Sequence, residues 1–382
     1  MLGVMRRRIT AAVAASTVLT AGACLATAAV GRWATRTGLG AASAGRPVGF
    51  TGVRFAVHDS TADTVTLTRS PLSLRPGTYR LTGRHGSAVV GPPLDVPSSP
   101  DTVVRELLGV AGPPFATGAS VGLTPQLHAG TPRSAPGIEH TDVELPHGSG
   151  TLPAWYVPGA RETWVIALHG LGATREGPLN VLPFLHQHQF PVLLPSFRGD
   201  PGAPRRAEPG YRLGAGEWRD AEAALRFAVR AGARRVVLYG WSAGATMALH
   251  TATHSPLRRQ VAGLVLDSPV LSPTATLRAL AVRRGLPAPR RPLAVAAARR
   301  GALPEGPPPM PPTGERNAPP PVLLVHGPDD SVAPFAASRE FASRHPENVV
   351  LHTVAQAEHA AMWNAVPGGY QEALRRFLTP LM

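Results

Sequence analysis

The stretch Gly240-Trp241-Ser242-Ala243-Gly244 places a single serine between two glycines where the pattern of the chain changes. Upstream, Val236 to Tyr239 is a short apolar run of strand type; downstream, Ala243 to His254 reads as a helix. A sharp turn between the two projects the serine hydroxyl outward. Glycine at 240 and 244 removes the Cβ atoms that would crowd the neighbouring strand or helix. The helix start also points its amide end at the serine, which favours a developing negative charge there. A serine so placed is suited to attack a carbonyl carbon. At neutral pH a hydroxyl is a poor nucleophile, so it needs a base, and the base needs a carboxylate to orient it.

Both partners occur downstream. The strand pattern Pro321 to Val325 runs into HGPDDSVAP (326–334), which puts Asp329 and Asp330 in a loop at a strand's C-terminal end. Val349 to Val354 leads in the same way into AQAEHAAMW (355–363), which carries His359. Functional groups of open α/β sheets collect at those carboxyl ends. Asp267, closing the run Val261 to Leu266, is a second place for an acid. Other chemistry-bearing residues read as structural. His186 and His188 lack a carboxylate cluster and fit an exposed helix end, and His352 lies within a strand pattern. Arg198-Gly199-Asp200 follows a core strand, with Asp200 expected near the rim of the site. Trp218 and Trp363 are read as packing rather than pocket residues.

The elements that must position these groups fall into two halves. From about Ile138 onward, Val143 to Leu145 and Leu152 to Val157 form a hairpin pattern. Continuous apolar runs follow at Trp164 to Leu168 and Val192 to Leu194. Between the later strands, Gly216 to Ala231 places Ala221, Ala224, Leu225, Ala228 and Val229 on one helical face, and Tyr370 to Leu378 is a final helix. Apolar strands alternating with amphipathic helices predict a mostly parallel sheet covered on both faces. Residues 285–320 interrupt it with a Pro/Arg-rich excursion containing one short helix pattern, Leu293 to Arg299. A cap is therefore expected over 271–320. Before this domain, residues 48–137 read as a small β-rich region. It has strands at Val53 to Val57, Thr64 to Thr68, Thr78 to Thr82 and Ser87 to Val90. A short helix capped by Asp101 carries Val103, Val104, Leu107 and Leu108, and residues 111–137 are a loop.

At the N-terminus, Arg6, Arg7 and Arg8 precede an apolar run from Ile9 to Val30, long enough to span a bilayer as a helix. Residues 1–30 are therefore read as a membrane anchor or signal peptide, with Ala21 to Ala23 and Ala26 to Ala28 as cleavage-type sites and 31–47 as a linker. The rest of the chain is expected outside the cytoplasm, anchored or secreted. The single cysteine, Cys24, lies in this run, so intrachain disulfides and cysteine metal sites are excluded. Of 382 residues, 43% are hydrophobic, enough for a sizeable core. The formal charge of +14 comes from 38 basic residues, all arginine and spread along the chain. With no dense basic run among aromatics, nucleic acid is not expected as a partner.

Taken together, LHGLG (168–172), GWSAG (240–244), HGPDDSVAP (326–334) and AEHAAMW (357–363) resemble the α/β-hydrolase superfamily of serine hydrolases. That superfamily includes esterases and prolyl-oligopeptidase-like or serine-aminopeptidase-like members. The resemblance covers roughly residues 138–382 and includes the chain order Ser, Asp, His. It implies the α/β-hydrolase fold and a Ser242–His359–Asp330 triad, because the family's acid falls four residues after the histidine of its HG motif. By the same resemblance, the oxyanion hole would be the Leu171 and Ala243 N–H groups. Two departures are Ala245, where peptidase branches carry a second glycine, and Ala333, where a bulkier aliphatic is common. The implied activity is carboxylic-ester hydrolysis on a small-molecule substrate, needing no metal or organic cofactor. Peptide cleavage is the alternative within the class. A membrane-tethered, non-catalytic binding protein on the same fold is the alternative outside it.

Overall fold

The computed structural model describes residues 47–205, 213–292, 295–296, 309–311 and 319–382. The expected N-terminal apolar helix, most of the linker and the short helix at 293–299 lie outside these, apart from Val295 and Ala296. Among the described residues, no helix is long and apolar enough to cross a membrane.

The first half is a closed six-stranded barrel. Its strands are β1 (Phe55–Ser60), β2 (Thr64–Thr68), β3 (Tyr79–Thr82), β4 (Ser87–Pro93), β5 (Thr102–Ala111) and β6 (Ser120–Thr124), in spatial order β1-β2-β5-β4-β3-β6. Every pair is antiparallel. Alternation does the work expected of half-buried strands: Val65 and Leu67 point into the barrel with Phe55, Val57, Tyr79, Leu81 and Val121. Two expectations are corrected here. The segment expected as a helix after Asp101 is β5, because its backbone pairs with β2 on one side and β4 on the other. The loop expected over 111–137 contains β6, which pairs with β1 and β3 and closes the barrel.

Inside the barrel, Arg105 is fully buried. Its guanidinium donates to the carbonyls of Ser73 (2.9 Å), Arg75 (2.8 Å) and Gly77 (2.7 Å) and lies over the Tyr79 ring. Burial pulls its pKa down to about 10, against the opposing charge effect of Tyr79. Three carbonyls held by one buried cation fix the β2–β3 loop, and that loop reaches across to the second half of the chain.

The second half is an eight-stranded sheet: β7 (Thr141–His147), β8 (Gly150–Val157), β9 (Thr163–Leu168), β10 (Val192–Pro195), β11 (Arg235–Trp241), β12 (Val261–Asp267), β13 (Val322–His326) and β14 (Val349–Thr353). Its order is β14-β13-β12-β11-β9-β10-β8-β7. The β7–β8 and β8–β10 pairs are antiparallel and the rest parallel. The helices are α1 (Leu182–Gln187), α2 (Trp218–Arg230), α3 (Ala243–His254), α4 (Pro273–Arg283), α5 (Phe335–Arg344), α6 (Met362–Ala365) and α7 (Pro367–Leu378). Val236 and Leu238 of β11 pack with α2, α3 and α5 on one face, while Val237, Tyr239 and Trp241 pack with α1 and α7 on the other. That two-sided burial is why the parallel strands read as unbroken apolar runs. In the region expected as a cap, the described residues hold α4.

Candidate active site

Ser242 follows β11 directly and caps α3, with φ 53° and ψ −119°. A non-glycine residue held at positive φ is strained, and only a well-determined surrounding structure keeps it there. The neighbouring glycines supply that surrounding. A Cβ on Gly240 would sit 2.3 Å from the Gly244 carbonyl oxygen, and one on Gly244 would sit 2.1 Å from that of Leu168. Turn, helix and the end of β9 therefore pack backbone against backbone. The Ser242 N–H donates to the Asp267 carbonyl at 2.8 Å, which ties the turn to the end of β12.

The three residues expected to work together are together. His359 Nε2 lies 2.7 Å from Ser242 Oγ, and His359 Nδ1 lies 2.7 Å from Asp330 Oδ2. Asp329 instead points outward: its Oδ2 accepts from the Gln356 N–H. The same Asp330 Oδ2 is 2.8 Å from His326 Nε2, and His326 Nδ1 is 2.7 Å from Ser338 Oγ. Asp330 Oδ1 accepts from the Val332 and Ala333 N–H groups, each at 2.8 Å. Burial alone would raise the Asp330 pKa, but the adjacent His359 and His326 hold it well below the ordinary carboxylate range. For His359, burial lowers the pKa, and the charge and hydrogen bond of Asp330, with smaller help from Glu358 and Asp267, outweigh it and leave the imidazole raised.

Asp267 is not the partner of His359. Its carboxylate accepts from Ser268 Oγ (2.7 Å) and Tyr370 OH (2.9 Å), and Tyr239 OH donates to Tyr370 OH at 2.7 Å. Burial raises the Asp267 pKa to about 6 despite those bonds. Among the described residues, no hydrogen-bond acceptor meets the N–H of Leu171 or Ala243, the two expected oxyanion donors. Ala243 N–H belongs to the first turn of α3, where orphan donors are the rule. Asp200 of the RGD stretch accepts from His169 Nε2 at 2.8 Å, so that tripeptide braces the loop after β9. His188 bonds the Phe184 carbonyl at the end of α1, and no cluster of metal-ligand type occurs among the described residues.

A pocket opens on Ser242 and His359. Leu171, Val181 and Trp241 form apolar walls, while Val48, Pro125 and Gln126 come from outside the sheet half. Trp218 packs, as expected, against His254. Trp363 does not merely pack; it lines this pocket.

Residues 163–288 match the family described as alpha/beta hydrolase fold, and residues 56–124 match a domain of unknown function, DUF8805. The esterase Pf2001 of Pyrococcus furiosus superposes in one crystal form with a TM-score of 0.54 at 20% identity, covering 66% of this chain and 94% of that one. A second crystal form gives 0.51 at 21% identity, covering 66% and 96%. Residues 138–382 have the α/β-hydrolase fold. No curated protein matches the chain.

Sequence reasoning missed the groups that join the barrel to the hydrolase domain. Glu358, beside His359 in the chain, is 5% exposed. Its Oε1 accepts from the Ser331 N–H and hydroxyl (3.1 and 2.6 Å) and from the His359 N–H (2.9 Å). The other oxygen faces Arg75 of the barrel at 3.5 Å, and Arg75 also donates to the Asp329 carbonyl at 3.0 Å. Arg283, ending α4, bonds Ser331 Oγ at 2.6 Å and the Gly49 carbonyl at 2.8 Å. One buried carboxylate thus joins the loops carrying Asp330 and His359, and it faces Arg75 of the barrel and, at 4.0 Å, Arg283 of α4. Nothing near Arg75 in sequence marks this, because the contact spans about 280 residues of chain. Arg75→Ala is expected to lower kcat on an ester about tenfold while KM moves less than about twofold, since the loops are displaced and the pocket walls remain. Arg75→Lys is expected to recover part of the loss. Steady-state kinetics of both variants checks this.

Proposed function

We propose that the protein is a serine hydrolase that cleaves carboxylic esters through an acyl-enzyme on Ser242. The observation carrying this reading is the unbroken run Ser242 Oγ, His359 and Asp330, at 2.7 Å per link, on a strained strand-to-helix turn. His359 Nε2 takes the hydroxyl proton as Oγ attacks the carbonyl carbon. The oxyanion is received by the N–H groups of Leu171, in the loop after β9, and Ala243, at the start of α3, each such donor contributing about 3–4 kcal/mol. His359 then gives its proton to the leaving alcohol. Water, deprotonated by the same nitrogen, attacks the acyl carbon and releases the acid. Asp330 keeps the imidazole in the correct tautomer and stabilises its charged form without taking the proton.

An ester substrate is supported by the esterase among the fold relatives and by a pocket whose walls are mainly apolar. Export belongs to the same proposal and is supported by Arg6 to Arg8 ahead of the apolar run Ile9 to Val30. Turnover of a panel of p-nitrophenyl esters beside aminoacyl and peptidyl p-nitroanilides tests the reaction class. Ester cleavage lost in Ser242→Ala supports it. Cleavage of the anilides alone would make the protein a peptidase, and turnover of neither a binding protein.

The direction of the His359 pKa sets the acid limb of the rate profile. Only the neutral imidazole accepts the serine proton, and the raised pKa keeps it protonated to higher pH than an ordinary histidine. The ester kcat/KM is therefore expected to rise with pH through a midpoint above the ordinary value of about 6.5. A pH series from 5 to 9 measures it.

A further inference from the structure

Two residues that line the pocket, Gln126 and Trp363, each carry a buried side-chain N–H group without an acceptor. Gln126 follows β6 and is 6% exposed, yet its Nε2 has no partner among the described residues. Its backbone N–H donates to Thr124 Oγ1 at 3.3 Å. Trp363 Nε1 is likewise buried and unpartnered. Neighbouring amides in the same wall are fully employed. Asn180 Nδ2 donates to the Pro125 carbonyl at 2.8 Å, and Asn364 Nδ2 reaches both Thr78 and Pro125 carbonyls at 2.8 Å. Buried donors without acceptors are disfavoured, and of the orphaned polar side chains among the described residues only these two belong to the pocket that opens on the serine–histidine pair, as donors completed by a ligand would.

The chemistry of that ligand follows from the lining. Both free groups are N–H donors, so the ligand brings an acceptor. No arginine lines the pocket, its exposed lining is mainly apolar, and its two histidines, His169 and His359, are each paired with a carboxylate, Asp200 and Asp330. A carboxylate or phosphate entering such a site would lose its hydration with no cation free of a carboxylate partner to compensate. A neutral oxygen meets both conditions.

Resting on the ester-hydrolase reading, we propose that the pocket selects esters whose entering arm carries a second, neutral acceptor oxygen, such as a ketone, ether or amide carbonyl. Gln126 Nε2–H and Trp363 Nε1–H are its donors. A residue of the barrel thereby contributes to the substrate choice of the hydrolase domain.

The test is the second-order rate of Ser242 labelling by paired fluorophosphonates whose arms are hexyl or 4-oxohexyl, with a 5-carboxypentyl arm as the charged control. The 4-oxohexyl reagent is expected to label about 10- to 100-fold faster than the hexyl reagent, and the charged one no faster than the hexyl. Gln126→Leu and Trp363→Phe, which keep the shape and remove the N–H groups, are each expected to shrink that ratio toward one. Equal labelling of the wild-type protein by both neutral reagents would overturn the inference and leave the serine reading standing. A ratio that persists in both variants would overturn the assignment to these donors, and faster labelling by the charged arm would overturn the neutral class. If no reagent labels Ser242, the hydrolase reading fails and the inference falls with it.

Discussion

Replacing His359 by glutamine is expected to lower kcat on a simple ester by about 10⁶-fold, the scale seen when the base of such a triad is removed. His359 Nε2 is the group within reach of Ser242 Oγ, at 2.7 Å. Asp267 Oδ1 and Oδ2 are occupied by Ser268 and Tyr370, so no second base stands ready. Because serine and base act as one unit, Ser242→Ala combined with His359→Gln is expected to cost no more than either alone. Kinetics of the two single variants and the pair, with thermal melting to confirm folding, measures this.

Asp330→Asn is expected to cost about 10⁴-fold in kcat, since an amide at this place favours the wrong tautomer of His359. It has a second consequence, because Asp330 also receives His326 and two backbone N–H groups. A carboxylate whose folded pKa is depressed stabilises the fold at pH above its unfolded value of about 3.9. That stability is lost as pH falls from there toward the depressed folded value. Asp267, raised to about 6, acts with the opposite sign: its burial costs stability as pH rises from about 4 through 6. Urea melts between about pH 2 and 6 should therefore show the acid-side loss of wild-type stability flattened in Asp330→Asn.

Much of the hydrolase half was legible because its chemistry and its burial both leave marks in sequence. Strands β9, β11, β12 and β13 are buried on two faces and read as apolar runs; Gly240 and Gly244 are demanded by contacts near 2 Å. The loop bearing Asp330 follows β13 directly, and the loop bearing His359 follows the edge strand β14. The barrel was less legible. Val103, Val104, Leu107 and Leu108 satisfy a helical spacing, and only pairing with both β2 and β4 makes the segment a strand. Tertiary context overrides local pattern there. Ser120 to Thr124 is too short and too glycine-marked to announce itself, although it closes the barrel and delivers Gln126 to the pocket. Arg75 and Glu358 escaped notice for a different reason. Each is an ordinary charged residue in sequence, and their meaning arises where the Arg105-braced loop meets the His359 loop.

The central claim is that Ser242 is an activated nucleophile. It is tested most directly by exposing folded wild-type protein and Ser242→Ala to a fluorophosphonate and locating the adduct by mass spectrometry. The account predicts one adduct per chain on Ser242, formed faster as pH rises through the His359 midpoint and absent from the variant. Folded wild-type protein that takes no label, or takes it equally after Ser242→Ala, would contradict it.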